Sequence, residues 1–167
     1  MLQPAQPRQR AGGQLERGAE QRVAEDVGPI TGQHVRLKDG QAAGAGQRAA
    51  VYEDVRDRVF GYRLSVPNGT YSVTLQFIET EIRQKGRRVF DVLIQGRQAA
   101  EKVDIFAAAG AARAYDLTFK DVEVSDGRLV IDFADRIHYP AVAGLVVEGP
   151  GFVRKINCGG PAVLDYE

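Results

Sequence analysis

The chain has no tryptophan, one methionine and a single cysteine, Cys158, among its 167 residues. One thiol excludes an internal disulfide framework. No Cys/His grouping has zinc-ligand spacing, so no metal or other cofactor is expected. Neither sign of charge is in excess, since 22 Lys and Arg balance 22 Asp and Glu. A nucleic-acid binder normally shows a basic surplus, so no nucleic-acid partner is expected. No apolar run approaches the roughly 18 residues of a membrane-spanning helix, and no membrane partner is expected either. After Met1-Leu2 the sequence reads QPAQPRQR, without the apolar core of a signal peptide. This reading allows a cytoplasmic protein, or a piece of a longer chain that is secreted or periplasmic.

The first 50 residues lack Phe, Tyr and Trp altogether, and Gln, Gly and Ala make up half of them. A segment so poor in large apolar groups buries too little surface to offset its ordering entropy. Residues 1–50 are therefore expected to be disordered or aberrant. A short helix over Leu15 to Val27 and a short strand around Ile30 and Val35 are the only elements its apolar residues could mark.

From Tyr52 onward the texture changes. Tyr71, Val73, Leu75 and Phe77 share one phase of a two-residue period, with Ser72, Thr74 and Gln76 opposite. Asn68-Gly69, preceded by Pro67, predicts a tight hairpin between this strand and one over Tyr62 to Val66. Phe90, Val92 and Ile94 alternate up to Gln95-Gly96. Tyr115, Leu117 and Phe119 lie in one phase and Val122 and Val124 in the other, which predicts a β-bulge near Lys120-Asp121. Asp126-Gly127 predicts another hairpin into Leu129, Ile131 and Phe133. Ala141 to Val147 is apolar in both phases, as in a strand buried on both faces. Between Val103 and Ala114 the alanines allow at most a short helical turn. Six or seven strands with turns every eight to twelve residues predict an all-β, antiparallel jelly-roll β-sandwich.

Six segments carry a resemblance: VYEDVRDRVFGYRL, VPNGTYSVTLQFIE, GRRVFDVLIQG, VDIFAAAG, VSDGRLVIDF and PAVAGLVVEG, in this order. Together they resemble a malectin-type domain over residues 51–149. This type occurs in plant receptor-like kinases and as a carbohydrate-binding module attached to bacterial glycoside hydrolases. The resemblance implies a non-catalytic, lectin-like β-sandwich that binds an oligosaccharide or polysaccharide. It also implies an accessory role beside a neighbouring catalytic domain, in a glycoside hydrolase or surface protein. A β-sandwich spacer without sugar binding is the alternative. Family members begin with a strand of the type INCGGPAY, whereas here Ile156-Asn157-Cys158-Gly159-Gly160-Pro161-Ala162 stands after the last core strand. Residues 150–167 accordingly read as a linker and the truncated start of a second such module, combined with a misread start of the chain. A circular arrangement, in which this segment supplies the missing edge strand, is the other explanation.

The family's pocket lies in loops at one end of the sandwich. Carried over by position, its first aromatic falls at Asp57, its aromatic pair at Glu81 and Ile82, and its acidic residue at His138. None keeps its type, so the family's glucose-disaccharide specificity does not transfer. The polar groups of those loops remain as candidate carbohydrate-binding residues: Arg56, Asp57, Glu79, Glu81, His138 and Tyr139. Arg56 could donate a bidentate pair to vicinal hydroxyls, or form an ion pair within the sheet. Tyr139 could stack on a pyranose face, or pack beneath the Pro140 loop. On this reading Arg56, Glu81 and Tyr139 converge on one concavity. Tyr52 reads as core, and Asp91 and Asp104 as partners of backbone N–H groups. Glu79 and Glu81 would stand about 6.5–7 Å apart on an extended strand, near the spacing of an inverting glycosidase pair. Paired acids at a strand end are more often solvated. No nucleophile elbow or phosphate loop is present, and the serines Ser65, Ser72 and Ser125 have no histidine context with His34 or His138. No catalytic residue is therefore assigned.

Overall fold

The alternation that marks residues 71–77 is a burial pattern. In the computed structural model Tyr71, Val73, Leu75 and Phe77 are all buried. They lie on strand β4 (Gly69–Ile78), whose inward face meets the inward faces of β5 (Val89–Ile94) and β8 (Arg128–Ile137). The structure describes residues 33–37 and 42–167. The expected helix over Leu15 to Val27, and Ile30, lie outside these residues. The remaining strands are β1 (Gln33–Arg36), β2 (Asp54–Asp57), β3 (Gly61–Ser65), β6 (Arg97–Val103), β7 (Ala114–Val124), β9 (Ala141–Val142), β10 (Gly144–Gly149) and β11 (Phe152–Asn157). Among the described residues helical structure is confined to a 3-10 segment, Gly46–Tyr52, and the single-turn helix α1, Ile105–Ala109. Asp104 caps α1 by accepting from the Ala107 N–H at 2.9 Å.

Two four-stranded antiparallel sheets, ordered β11-β10-β4-β7 and β3-β8-β5-β6, face each other, and β1-β2-β9 forms a third small sheet. This is an all-β sandwich. The expected bulge is present. The register between β4 and β7 shifts where Tyr71 faces Val122 and Val73 faces Phe119, and Asp121 takes φ 57°.

Two predicted hairpins are instead corners between sheets. β3 pairs with β8 and β4 with β7 and β10, so Pro67-Asn68-Gly69 carries the chain from one sheet to the other. Neither Asn68 nor Gly69 adopts positive φ. The Asn68 side chain accepts from the Gly127 N–H at 2.7 Å, and the Tyr71 hydroxyl donates to the Pro67 carbonyl at 2.6 Å. Asp126-Gly127 likewise joins β7 to β8 across the sandwich. A two-residue hairpin is formed at Gln95-Gly96 between β5 and β6, with φ 51° and 72°, the left-handed pair of a type I′ turn.

The folded region also begins earlier than residue 51. Leu37, Ala42, Ala45, Val51 and Tyr52 are buried in a second apolar cluster with Ile78, Ala143, Val146 and Tyr166. This layer covers the outer face of β4 and β10, where small alanines pack beside larger side chains. It encloses a polar knot. The Tyr52 hydroxyl donates to Asp116, Gln76 Nε2 donates to Tyr52 at 3.1 Å, and Arg48 Nη1 reaches Asp116 at 2.9 Å. Burial, and then the Asp116 carboxylate, push the Tyr52 phenol upward.

Residues 150–167, expected as a linker and the start of another module, pack onto this sandwich. β11 pairs with β10 along its whole length, from Gly144 opposite Asn157 to Gly149 opposite Phe152. Cys158 is buried, and burial pushes its thiol up to about 12. A Cβ on Gly159 would stand 2.3 Å from the Asp54 carbonyl carbon and the Val55 nitrogen, so only glycine permits this approach.

Candidate functional site

The antiparallel order gives the sandwich two unlike ends. One carries the short turns after β3, β5 and β7. The other carries residues 58–60, the long 79–88 connection and residues 138–140. At this loop end the chain places one buried cation, Arg88, with its side chain 1% exposed. Arg88 precedes β5 in phase with the inward-facing Phe90 and Val92, so the alternation aims it into the protein. Its Nη1 lies 2.8 Å from Asp57 Oδ1, its Nε lies 2.8 Å from Glu79 Oε2, and Nη1 also donates to the Tyr139 carbonyl. Burial alone would lower the guanidinium's pKa. The Glu79 and Asp57 carboxylates outweigh that and hold it above its ordinary value. Glu79 Oε1 in turn accepts from the N–H groups of Glu81 and Ile82, at 3.1 and 3.0 Å. One guanidinium thus ties three connections together.

Four of the candidate residues gather around this hub. Asp57 and Glu79 are buried partners of Arg88, Glu81 Oε2 lies 3.7 Å from Arg88 Nη2, and Tyr139 is held by its carbonyl. Glu79 is committed to Arg88 and to two backbone donors, so Glu79 and Glu81 do not form an open pair of carboxylates across a cleft. Arg56 does not join them. It lies on β2, and its Nε donates to the Cys158 carbonyl at 3.1 Å. The expected meeting of Arg56, Glu81 and Tyr139 in one concavity is therefore not what the geometry shows. Arg56 is turned toward the C-terminal segment.

Two features of the loop end are open to solvent. The first is an aromatic step. Tyr139, 37% exposed, meets Phe60, 39% exposed, edge to face with ring centroids 6.3 Å apart. The Arg58 guanidinium lies 5.0 Å from the Tyr139 ring centroid, and the His138 ring centroid lies 5.8 Å away. The second is a concavity of about 600 Å³, lined by Glu81, Ile82, Arg83, Gln84, Arg87, Ile137 and His138. His138 belongs to both, and its φ of 62° turns the chain between Ile137 and Tyr139. A second concavity, of about 640 Å³, lies at the turn end beside Gln95, Arg97, Gln98, Phe119, Lys120 and Glu123. It has no exposed aromatic, because Phe119 packs against the core. We therefore place the site at the loop end. Among the described residues no group of three or more His, Cys, Asp or Glu could hold a metal ion.

Sequence reasoning missed Arg88, Phe60, Arg58 and the guanidiniums of Arg83 and Arg87. The signal for Arg88 was available, since a charged residue on the inward phase of a strand demands buried partners. Phe60 shares the phase of the buried Tyr62 and Leu64, yet it is exposed just before β3 begins.

Comparison with known proteins agrees with this architecture. The chain is 39% and 36% identical, over 80 residues, to two probable LRR receptor-like serine/threonine-protein kinases of Arabidopsis thaliana, and spans 8% of their length. Among solved structures it is similar to a β-glucuronidase of Bacteroides uniformis, with TM-score 0.66 and 20% identity, over 74% of this chain and 14% of that one. It is also similar to the ANXUR1 extracellular domain of Arabidopsis thaliana, with TM-score 0.64 and 12% identity, over 85% of this chain and 43% of that one. These structural likenesses concern the fold. The malectin domain itself is matched over residues 38–143, more than half of the sequence, and the chain belongs to the malectin domain family.

Proposed function

We propose that the loop end binds carbohydrate without catalysing its turnover, as an accessory module of a larger protein. The observation that carries this reading is the exposed Phe60–Tyr139 step beside a polar concavity. Sugar rings present flat C–H faces and paired hydroxyls. An exposed aromatic edge next to Gln84, Arg83, Arg87 and Glu81 supplies partners for both. Arg88 contributes by rigidity, holding the 79–88 and 138–140 connections in place before a ligand arrives. Asp57 and Glu79 belong to that support, whereas Glu81, His138 and Tyr139 face the ligand. The family's character as carbohydrate-binding, non-catalytic modules supports the same reading, and its occurrence in longer chains supports an accessory role. We also take residues 152–167 as part of this module, because β11 and Gly159 pack directly on it.

The test is retention of the full chain on immobilised oligosaccharides and polysaccharides. Saturable binding is expected, weakened about tenfold or more by Tyr139→Ala or Phe60→Ala, with the melting temperature little changed. Absence of retention on every glycan would leave the sandwich as a spacer between other domains.

A further inference from the structure

We infer that Asp104 is a positioning residue for the loop-end site, tying the outer part of the 79–88 connection to the start of α1. The inference rests on the carbohydrate-binding reading of that end. The Arg88 hub holds the two ends of this connection. Glu79 secures the first end through the Glu81 and Ile82 N–H groups, and Arg88 is itself the second. Between them lie residues 83–87, all exposed. Arg83, Gln84 and Arg87 of this stretch line the concavity. Among the described residues one hydrogen bond ties the stretch to another element. The Gly86 N–H donates to Asp104 Oδ2 at 2.5 Å.

Asp104 is suited to this task by where it stands. It lies between Val103, the last residue of β6, and Ile105, the first of α1, and both neighbours are buried. Its backbone is thus anchored in the core. Its Oδ1 accepts from the Ala107 N–H and caps α1, which leaves Oδ2 for Gly86. A carboxylate carries two acceptor oxygens, so one side chain serves two backbone donors at once. Among the described residues Asp104 forms no ion pair, and both oxygens are committed to backbone N–H groups. Gly86 meets it with φ 75°, a conformation that L side chains rarely adopt, although a Cβ there would meet nothing within 4 Å. The glycine serves the path of the backbone, not a shortage of room. A hydrogen bond to an ionised acceptor is stronger than a neutral one. Without this tie a wholly exposed stretch samples many conformations, and a ligand has to order it on arrival.

The experiment uses the full chain and separates the helix cap from the tie. Asp104→Asn and Asp104→Ser both keep a capping oxygen for Ala107, but neither has a second acceptor oxygen for Gly86. Amide hydrogen exchange and the melting temperature are measured first. Retention then follows on four immobilised polysaccharides: a β-glucan, a galactan, a xylan and an arabinan. Both variants should lose protection at the Gly86 amide, keep it at Phe90 and Val92, and melt close to the parent chain. On each polymer that retains the parent they should bind about fivefold or more weakly. Unchanged protection at Gly86 would overturn the inference, because something other than Asp104 then fixes the stretch. Lost protection with unchanged retention would also overturn it, and leave sugar binding intact. A fall in melting temperature large enough to account for weaker retention would reduce Asp104 to a helix cap. Failure of all four polymers to retain the parent would overturn both readings.

Discussion

The two ends of the sandwich are closed by different means. At the turn end the connections are short and local, and neutral hydrogen bonds hold them. Asn68 Oδ1 accepts from Gly127, Tyr71 donates to the Pro67 carbonyl, and Gln95 Oε1 accepts from the Val130 N–H at 2.8 Å. At the loop end one connection, 79–88, is long, and a buried guanidinium shared by Asp57, Glu79 and the Tyr139 carbonyl replaces that local geometry. Short turns leave little room for anything but closure. The long connection, anchored from beneath, can keep its outer side chains free, and several of these line the concavity.

The contrast breaks most sharply at Arg88. Arg88→Met would leave two buried carboxylates without their cation, and is expected to cost about 3–5 kcal/mol in urea unfolding. A loss below about 1 kcal/mol would mean the hub is not what orders this end. Neutralising the partners as well, in Asp57→Asn/Glu79→Gln/Arg88→Met, should recover much of the loss, because the penalty lies in stranded charge.

Acid sharpens the comparison next, since the loop-end half of the fold leans on buried carboxylates. Asp91, third residue of β5, is pulled down to about 2, first by the Arg136 side chain and then by the Lys102 N–H. A depressed folded-state pKa contributes stability that is complete above the ordinary carboxylate value of about 4 and disappears as pH falls toward about 2. Unfolding measured at pH 7 and pH 3 should show Asp91→Asn losing less stability between the two than the parent chain. Parallel losses would remove Asp91 from the acid response.

The smallest effect is expected at the turn end. Asn68→Ala removes one neutral, exposed hydrogen bond and should cost about 0.5–1 kcal/mol, seen as a modest drop in melting temperature. A loss matching that of Arg88→Met would abolish the distinction between the ends.

The sequence carried the strands well and their partners poorly. Tyr71 to Phe77 alternate because one face is buried, and the phase switch at Lys120-Asp121 is a bulge because a slipped register must be absorbed somewhere. Asn68-Gly69 and Asp126-Gly127 looked like hairpins because short turn chemistry is the same whether the chain stays in its sheet or changes to the facing one. Residues 42–50 looked unstructured because their apolar groups are small. They fold by covering a face presented by β4 and β10, which no local pattern reports. The candidate site was legible as a set of loops. Asp57 and Glu79 were visible as polar residues there, but their burial depends on Arg88, brought in from 31 and 9 residues away.

The β10–β11 hairpin has a consequence for how such a module can be moved between proteins. β10 is buried on both faces from Gly144 to Val147, and β11 satisfies one of its two edges. A piece cut after Gly149, where the apolar pattern ends, would display that edge as an open row of amide and carbonyl groups on an apolar strand, a template for other chains to join. The tail that carries Cys158 covers this edge, and a fusion made without it should be expected to self-associate.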